Sequence, residues 1–141
     1  MSRSCWDKIW IDFANKLAKE RSVDPKYKIA CVIVNEDNTR VLSFGYNGDE
    51  HGGNHVRKSM MPGHSGFIHA EENALIKLDY SEAYKKVYVT HSPCFGCCQK
   101  LINAKIDELI YDEVYDQKAI DWLKNHPKGK HINIRKYEKH A

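Results

Sequence analysis

The chain reads as an α/β protein, a three-layer α/β/α sandwich around a mixed five-stranded sheet. Short apolar runs of strand character alternate with segments of helical spacing along its whole length. An early hairpin, followed by strands that alternate with helices, makes a mixed sheet layered with helices. There is no linker and no low-complexity stretch, and 141 residues at 42% hydrophobic content can bury one respectable core. A single domain spanning 1–141 is expected.

Each element has its own signal. Trp6, Ile9, Trp10, Phe13 and Leu17 fall at helical spacing, with Ser4 and Asp7 placed to cap the start, so an amphipathic helix opens the chain. Ile29 to Val34 is a continuous apolar run, Asn35 to Thr39 is turn chemistry, and Val41 to Tyr46 resumes strand character, which together predict a hairpin. A long loop bearing Gly and His, from Asn47 to Gly66, leads into a helix over Ala70 to Leu78. Val87 to Thr90 is a short third strand, and Pro93 marks the start of a helix continued by Cys94, Cys97, Leu101 and Ile102. Glu108 to Tyr111 forms a fourth strand, Gln117 to Asn125 a helix, and Ile132 to Tyr137 a fifth strand.

Composition excludes several classes. A net charge of +3 with both signs mixed is too weak for a nucleic-acid groove, though it suits small phosphorylated ligands. No apolar run approaches the length of a membrane span, and Met1 to Asp7 has no signal-peptide character. Neither a nucleic-acid nor a membrane partner is expected, and the expected location is the cytoplasm, or the host cytoplasm for a viral protein. Five cysteines, an odd number with no evident pairing scheme, fit a reducing compartment.

The decisive feature is His69-Ala70-Glu71 followed by Pro93-Cys94-Phe95-Gly96-Cys97. One imidazole and two thiolates can hold a zinc ion on three sides and leave a fourth position for water. Glu71 is then placed to carry protons rather than to ligate. This H-x-E…P-C-x-x-C arrangement is the signature of zinc-dependent nucleobase deaminases. Two plainer readings use the same residues. A structural zinc site would need a fourth ligand from Cys98, His91 or His64, and Cys98 would have to reach the metal from the residue next to Cys97. A redox Cys-x-x-Cys pair would leave His69 and Glu71 without a role.

The spacing has a physical logic. At the starts of two adjacent helices, the backbone dipoles favour thiolates, and the i, i+3 step puts both sulfurs on one face of a turn. Zinc lowers the pKa of its water to about 7. Glu71 can take that proton and pass it to the ring nitrogen and then the departing amine, assistance worth about 10²- to 10⁴-fold.

Beyond the motif, Arg21-Ser22-Val23-Asp24-Pro25, the strand Ile29 to Val34, Gly45-Tyr46-Asn47-Gly48 and His69 to Ala74 together resemble the deoxycytidylate (dCMP) deaminase family, in its compact viral or phage-like form. The likeness runs in order from the first helix to Tyr111 and the Tyr115-Asp116 pair. It implies a cytidine deaminase-like sandwich that hydrolyses dCMP to dUMP and ammonia, supplying thymidylate synthesis. It further implies one Zn2+ per subunit held by His69, Cys94 and Cys97, with Glu71 as the proton shuttle. Asn47 would lie near the nucleotide sugar, Tyr115 would help close the pocket, and Arg21 and Ser22 would meet the phosphate. The family's feedback control implies activation by dCTP and inhibition by dTTP between subunits of a homohexamer, with Gly45, Tyr46 and Gly48 as effector contacts and Mg2+ accompanying a bound triphosphate.

The plainer readings are Asn47 beside Gly48 as a turn residue, Tyr115 as a packing residue and Arg21 as a solvated one. A related deaminase acting on dCTP, cytidine or another cytosine compound, or a non-catalytic zinc scaffold, would carry much of the same sequence.

Overall fold

The computed structural model describes residues 3–61 and 64–139. In chain order the elements are α1 (Trp6–Arg21), β1 (Ala30–Val34), β2 (Val41–Tyr46), α2 (Ala70–Ile76), β3 (Lys86–His91), α3 (Phe95–Asn103), β4 (Glu108–Glu113), α4 (Gln117–Asn125), a 3₁₀ turn (Gly129–His131) and β5 (Asn133–Lys136). Every element expected from the sequence is present, with ends displaced by a few residues. α2 stops at Ile76 rather than Leu78, because the N–H groups of Lys77 and Leu78 reach back only three residues, to Ala74 and Leu75.

The five strands form one sheet in the order β2-β1-β3-β4-β5. β1 runs antiparallel to both β2 and β3, whereas β3, β4 and β5 are mutually parallel. Parallel neighbours need a crossover, and α3 and α4 supply the two. The sheet is therefore mixed, as its sequence pattern predicts.

Strand alternation assigns the layers. Cys31 and Ile33 of β1, with Val87 and Val89 of β3, pack among Ala74, Leu75, Leu101, Ile120 and Leu123 from α2, α3 and α4. Val32 and Val34, with Tyr88 and Ile110, face the other way onto Ile11 and Trp10 of α1. All five residues of β1 are buried, which is why that strand reads as an unbroken apolar run. The edges are different: β5 is short and polar, and β2 leaves Val41 and Phe44 exposed.

The start of α1 differs from its expected form. Cys5 occupies the N-cap with no side-chain cap bond. Asp7 points its carboxylate across the sheet instead, accepting from the Tyr88 hydroxyl at 2.7 Å and pairing with Arg135 of β5. A buried phenol and a cationic edge strand compete successfully for an oxygen that would otherwise cap the helix.

Two contacts fix α2 where the motif needs it. A Cβ on Gly45 would lie 2.4 Å from the Ala70 carbonyl oxygen and 2.6 Å from the Ala74 nitrogen, so the helix backbone rests directly on β2. An isolated antiparallel bridge between Gly48 and Ile68, with N···O distances of 3.2 and 2.8 Å, then holds the segment entering the helix.

Candidate active site

His69 is the N-cap of α2 and Cys94 the N-cap of α3, with Cys97 in the first turn of α3. This brings the His69 Nδ1 to 3.3 Å from Cys97 Sγ and 3.5 Å from Cys94 Sγ, and all three ligand atoms lie within 4.8 Å of one another. A tetrahedral zinc ion, about 2.3 Å from sulfur and about 2.0 Å from nitrogen, sets its ligand atoms roughly 3.5 to 3.8 Å apart. The donor set and its spacing fit that ion.

A fourth protein ligand does not join them among the described residues. Cys98 is buried with its Sγ toward the Pro93 and Ala119 carbonyls, the His91 Nδ1 lies 3.0 Å from Thr90 Oγ1, and His64 is exposed. The arrangement has the three-ligand form of a catalytic zinc site rather than the four-ligand form of a structural one.

The electrostatics are those of a site prepared for a cation. Hydrogen bonding to Cys97 and to His69 pulls the Cys94 thiol down to about 4, against the opposing effect of burial. The Cys97 thiol is pushed up by its bond to Cys94 and by burial, and the His69 imidazole is raised by its bond to Cys94. The lowered Cys94 thiol favours the thiolate form that a metal ligand needs, and a bound dication would displace the proton of Cys97. Glu71, in the first turn of α2, is only 5% exposed, and burial pushes its carboxyl up to about 7. A carboxyl so placed exchanges protons readily near neutrality.

Glu71, His69 and Cys94 line a narrow cavity of about 50 Å³. A wider one of about 640 Å³ shares His69, Cys94, Tyr27 and Tyr115 with it and opens toward His91 and Phe95.

Residues 4–113 match the family model for the cytidine and deoxycytidylate deaminase zinc-binding region. The chain belongs to that family. ComE operon protein 2 of Bacillus subtilis is 34% identical over 82% of the chain and 63% of its own length. The deoxycytidylate deaminase of Saccharomyces cerevisiae is 31% identical over 89% of the chain and 44% of its own length. The chain therefore spans less than two thirds of these curated relatives. Among solved structures, the apo dCMP deaminase of cyanophage S-TIM5 superposes with a TM-score of 0.72 at 25% identity, covering 93% of this chain and 96% of that one.

Around the candidate zinc ligands of this deaminase-family chain, the other residues singled out from sequence fall in three places. Asn47 and Tyr115 line the narrow cavity. The Asn47 amide is fully engaged: Oδ1 accepts from the Ser22 hydroxyl and from the Ile29 N–H at 3.1 Å, while Nδ2 donates to the Tyr27 carbonyl at 2.7 Å and to Asp24 at 3.5 Å. Ser22 is buried behind Asn47 and lines neither cavity.

Arg21, Tyr46 and Gly48 lie elsewhere, around a separate cavity of about 520 Å³ that also includes Val23, His55 and Lys77. Arg21 is exposed there, its guanidinium 5.8 Å from the Tyr46 ring centre. Gly45, expected beside an effector, is buried under α2 and lines no part of that cavity. Arg21, Val23, Tyr46 and Gly48 thus face one cavity, while Asp24 and Asn47, between or beside them in sequence, face the other.

Polar residues of the narrow cavity that escape a reading of the sequence include Asp24, Tyr27, Arg57 and Ser65. Asp24 sits inside the Arg21 to Pro25 stretch, which marks the segment but not the side chain. Arg57 and Ser65 come from the long loop, where no periodicity announces them. Arg57 Nη1 meets the Asp24 carboxylate at 2.8 and 3.0 Å, with both side chains no more than 5% exposed.

Proposed function

We propose that the chain hydrolyses dCMP to dUMP and ammonia. The observation carrying this reading is the buried Glu71 carboxyl in the same narrow cavity as His69 and Cys94, with Cys97 completing the ligand group. The deoxycytidylate deaminase name of the yeast relative supports the substrate, as does the S-TIM5 fold likeness, which extends to a structure of that enzyme with dCMP and dUMP.

His69, Cys94 and Cys97 would hold Zn2+, one ion per subunit. When bound, zinc supplies a water acidified to a pKa of about 7 as the nucleophile. Glu71 takes up a proton at its carboxylate, delivers it to the pyrimidine ring nitrogen, and carries a second to the departing amine. Its burial keeps both protonation forms accessible near neutral pH. Tyr27 and Tyr115 wall the mouth, excluding bulk water from the base, and Asn47 holds the segment beside the sugar.

Activation by dCTP and inhibition by dTTP fit the separate cavity lined by Arg21, Tyr46, Gly48 and Lys77, where the two cations suit phosphates and Asp49 and Glu50, on the same wall, suit an accompanying Mg2+. A homohexamer in the cytoplasm completes the reading. No helix among the described residues is long and apolar enough to cross a membrane.

The test is ammonia release by zinc-loaded protein from dCMP, dCDP, dCTP, deoxycytidine and cytidine, with dCMP also assayed beside dCTP or dTTP. Preference for dCMP with opposite responses to the two triphosphates is expected. Turnover of dCTP in preference to dCMP would reassign the substrate, and no release from any of them would overturn the enzymatic reading.

A further inference from the structure

We propose that Arg57 determines specificity for a phosphorylated substrate by donating to its phosphate from the wall of the narrow cavity. This inference rests on the dCMP reading above. A nucleoside monophosphate carries a dianion that must meet a cation or lose its hydration uncompensated. Two cavities share His69 and Cys94, and among the described residues Arg57 is the one arginine or lysine lining either of them.

The other nearby cations are turned to different tasks. Arg21 faces the separate cavity over Tyr46. Lys26 lies 5.5 Å from the Tyr27 ring centre and donates to the Met60 carbonyl, and it lines neither cavity. His91 borders only the wider cavity, its Nδ1 3.0 Å from Thr90 Oγ1.

The guanidinium is built in rather than floating. Its Nε donates to the Ser59 carbonyl at 3.0 Å and its Nη1 to both Asp24 oxygens. Asp24 is held in turn by the Lys26 N–H at 2.8 Å and by Asn47. Among the described residues Nη2 makes no hydrogen bond to the protein, leaving its two N–H groups for a ligand. Asp24 therefore positions the fork while leaving one edge of it unengaged. A fixed donor loses little conformational freedom on binding, which favours selectivity for a group that accepts from it.

The experiment compares ligands that differ only in the phosphate. Binding of dUMP and deoxyuridine is measured by titration calorimetry, and turnover of dCMP and deoxycytidine by ammonia release, in the wild type, Arg57→Gln and the doubly neutral Asp24→Asn/Arg57→Gln. Loss of a charge-assisted bond should cut dUMP affinity and the dCMP kcat/KM by about 10- to 150-fold, and those for deoxyuridine and deoxycytidine by far less. Equal losses for both ligand pairs would overturn the proposal in favour of a structural role. So would a variant that keeps the wild-type preference for dUMP over deoxyuridine.

In the unmodified protein, the Arg57 Nε–H resonance should move on addition of dUMP and not of deoxyuridine. A resonance indifferent to the phosphate overturns the assignment even if both variants fail to fold. A wild type that binds dUMP no better than deoxyuridine and deaminates no cytosine compound would instead remove the dCMP reading itself.

Discussion

Tyr27 and Tyr115 meet edge to face, their ring centres 5.5 Å apart at 88°, and both line the cavity that contains Glu71 and the wider one beside it. The two come from the segment before β1 and the segment after β4, so neither position alone announces the contact. Tyr115 is fixed from below as well, its N–H donating to the Ser92 hydroxyl at 2.8 Å.

Tyr115→Ala should therefore raise KM for dCMP several-fold while lowering kcat less, and Tyr115→Phe should stay near wild type. An aromatic pair contributes about 0.5 to 1.5 kcal/mol beyond its buried area, enough for a change of about 2- to 12-fold. Steady-state kinetics on the two variants checks this; equal damage from Phe and Ala would show that the hydroxyl, not the ring, matters.

Glu71→Gln should fold, bind zinc and lose about 10²- to 10⁴-fold in kcat, because the amide keeps the shape but cannot shuttle a proton. Metal content by mass spectrometry and ammonia release are read on the same preparation. A variant that retains more than a tenth of wild-type turnover would assign the proton transfer to another group.

Stripping the metal with a chelator should abolish ammonia release and lower the melting temperature, with both restored by Zn2+. The stabilisation follows mass action, about 4.1 kcal/mol at a thousandfold excess of free ion over its Kd. Cys94→Ser should weaken the recovery, whereas Cys98→Ser should leave it intact, since Cys98 points into the packing between α3 and α4.

Gly45→Ala should destabilise the fold by about 1 to 3 kcal/mol through overpacking, because the added methyl meets backbone atoms of α2 that cannot swing aside. The same displacement moves His69 and Glu71, so activity should fall further than the change in melting temperature explains. A melting temperature equal to the wild type would contradict the close packing of helix on strand.

Acid should find a weak point at Asp7. Burial raises its carboxyl, but hydrogen bonds from Arg135 and Tyr88, helped by the nearby Lys86 charge, outweigh it and leave the group below its usual value. A depressed folded-state pKa stabilises the protein above the unfolded value of about 3.9, and that contribution fades as pH falls through the lower folded value. Asp7→Asn should cost about 1 to 2 kcal/mol at neutral pH and progressively less below about pH 4. Denaturant titrations across this range measure it; a pH-independent difference would sink the linkage.

How much of this was legible depended on what kind of signal each part leaves. Strand order was readable because burial on two faces demands runs such as Ala30 to Val34. The spacing of Trp6, Trp10 and Phe13 marked α1 as a helix but not the face it buries, which is Ile11, Ala14 and Ala18, while Trp6 and Phe13 stay exposed. The triad and Glu71 were readable because their chemistry restricts residue types at short spacing. The cap at Ser4 and Asp7 was not, since its competitor, Arg135, lies 128 residues away. Arg57 was hidden for a related reason: a loop residue paired to Asp24 leaves no periodic trace, and Arg21 had the better local credentials for a phosphate.

The Ser22 to Asn47 contact makes residues 21–24 and 46–48 a thin partition, with odd-numbered Arg21 and Val23 on one side, Asp24 on the other, and Ser22 buried between the two. Parity inverts on the second segment, where Tyr46 and Gly48 share the side of Arg21, and Asn47 shares that of Asp24. A mutational scan through this stretch should consequently appear striped, with adjacent substitutions perturbing different compartments and next-nearest ones behaving alike. Sequence neighbours here are poor proxies for functional neighbours, and averaging over a window would erase the pattern.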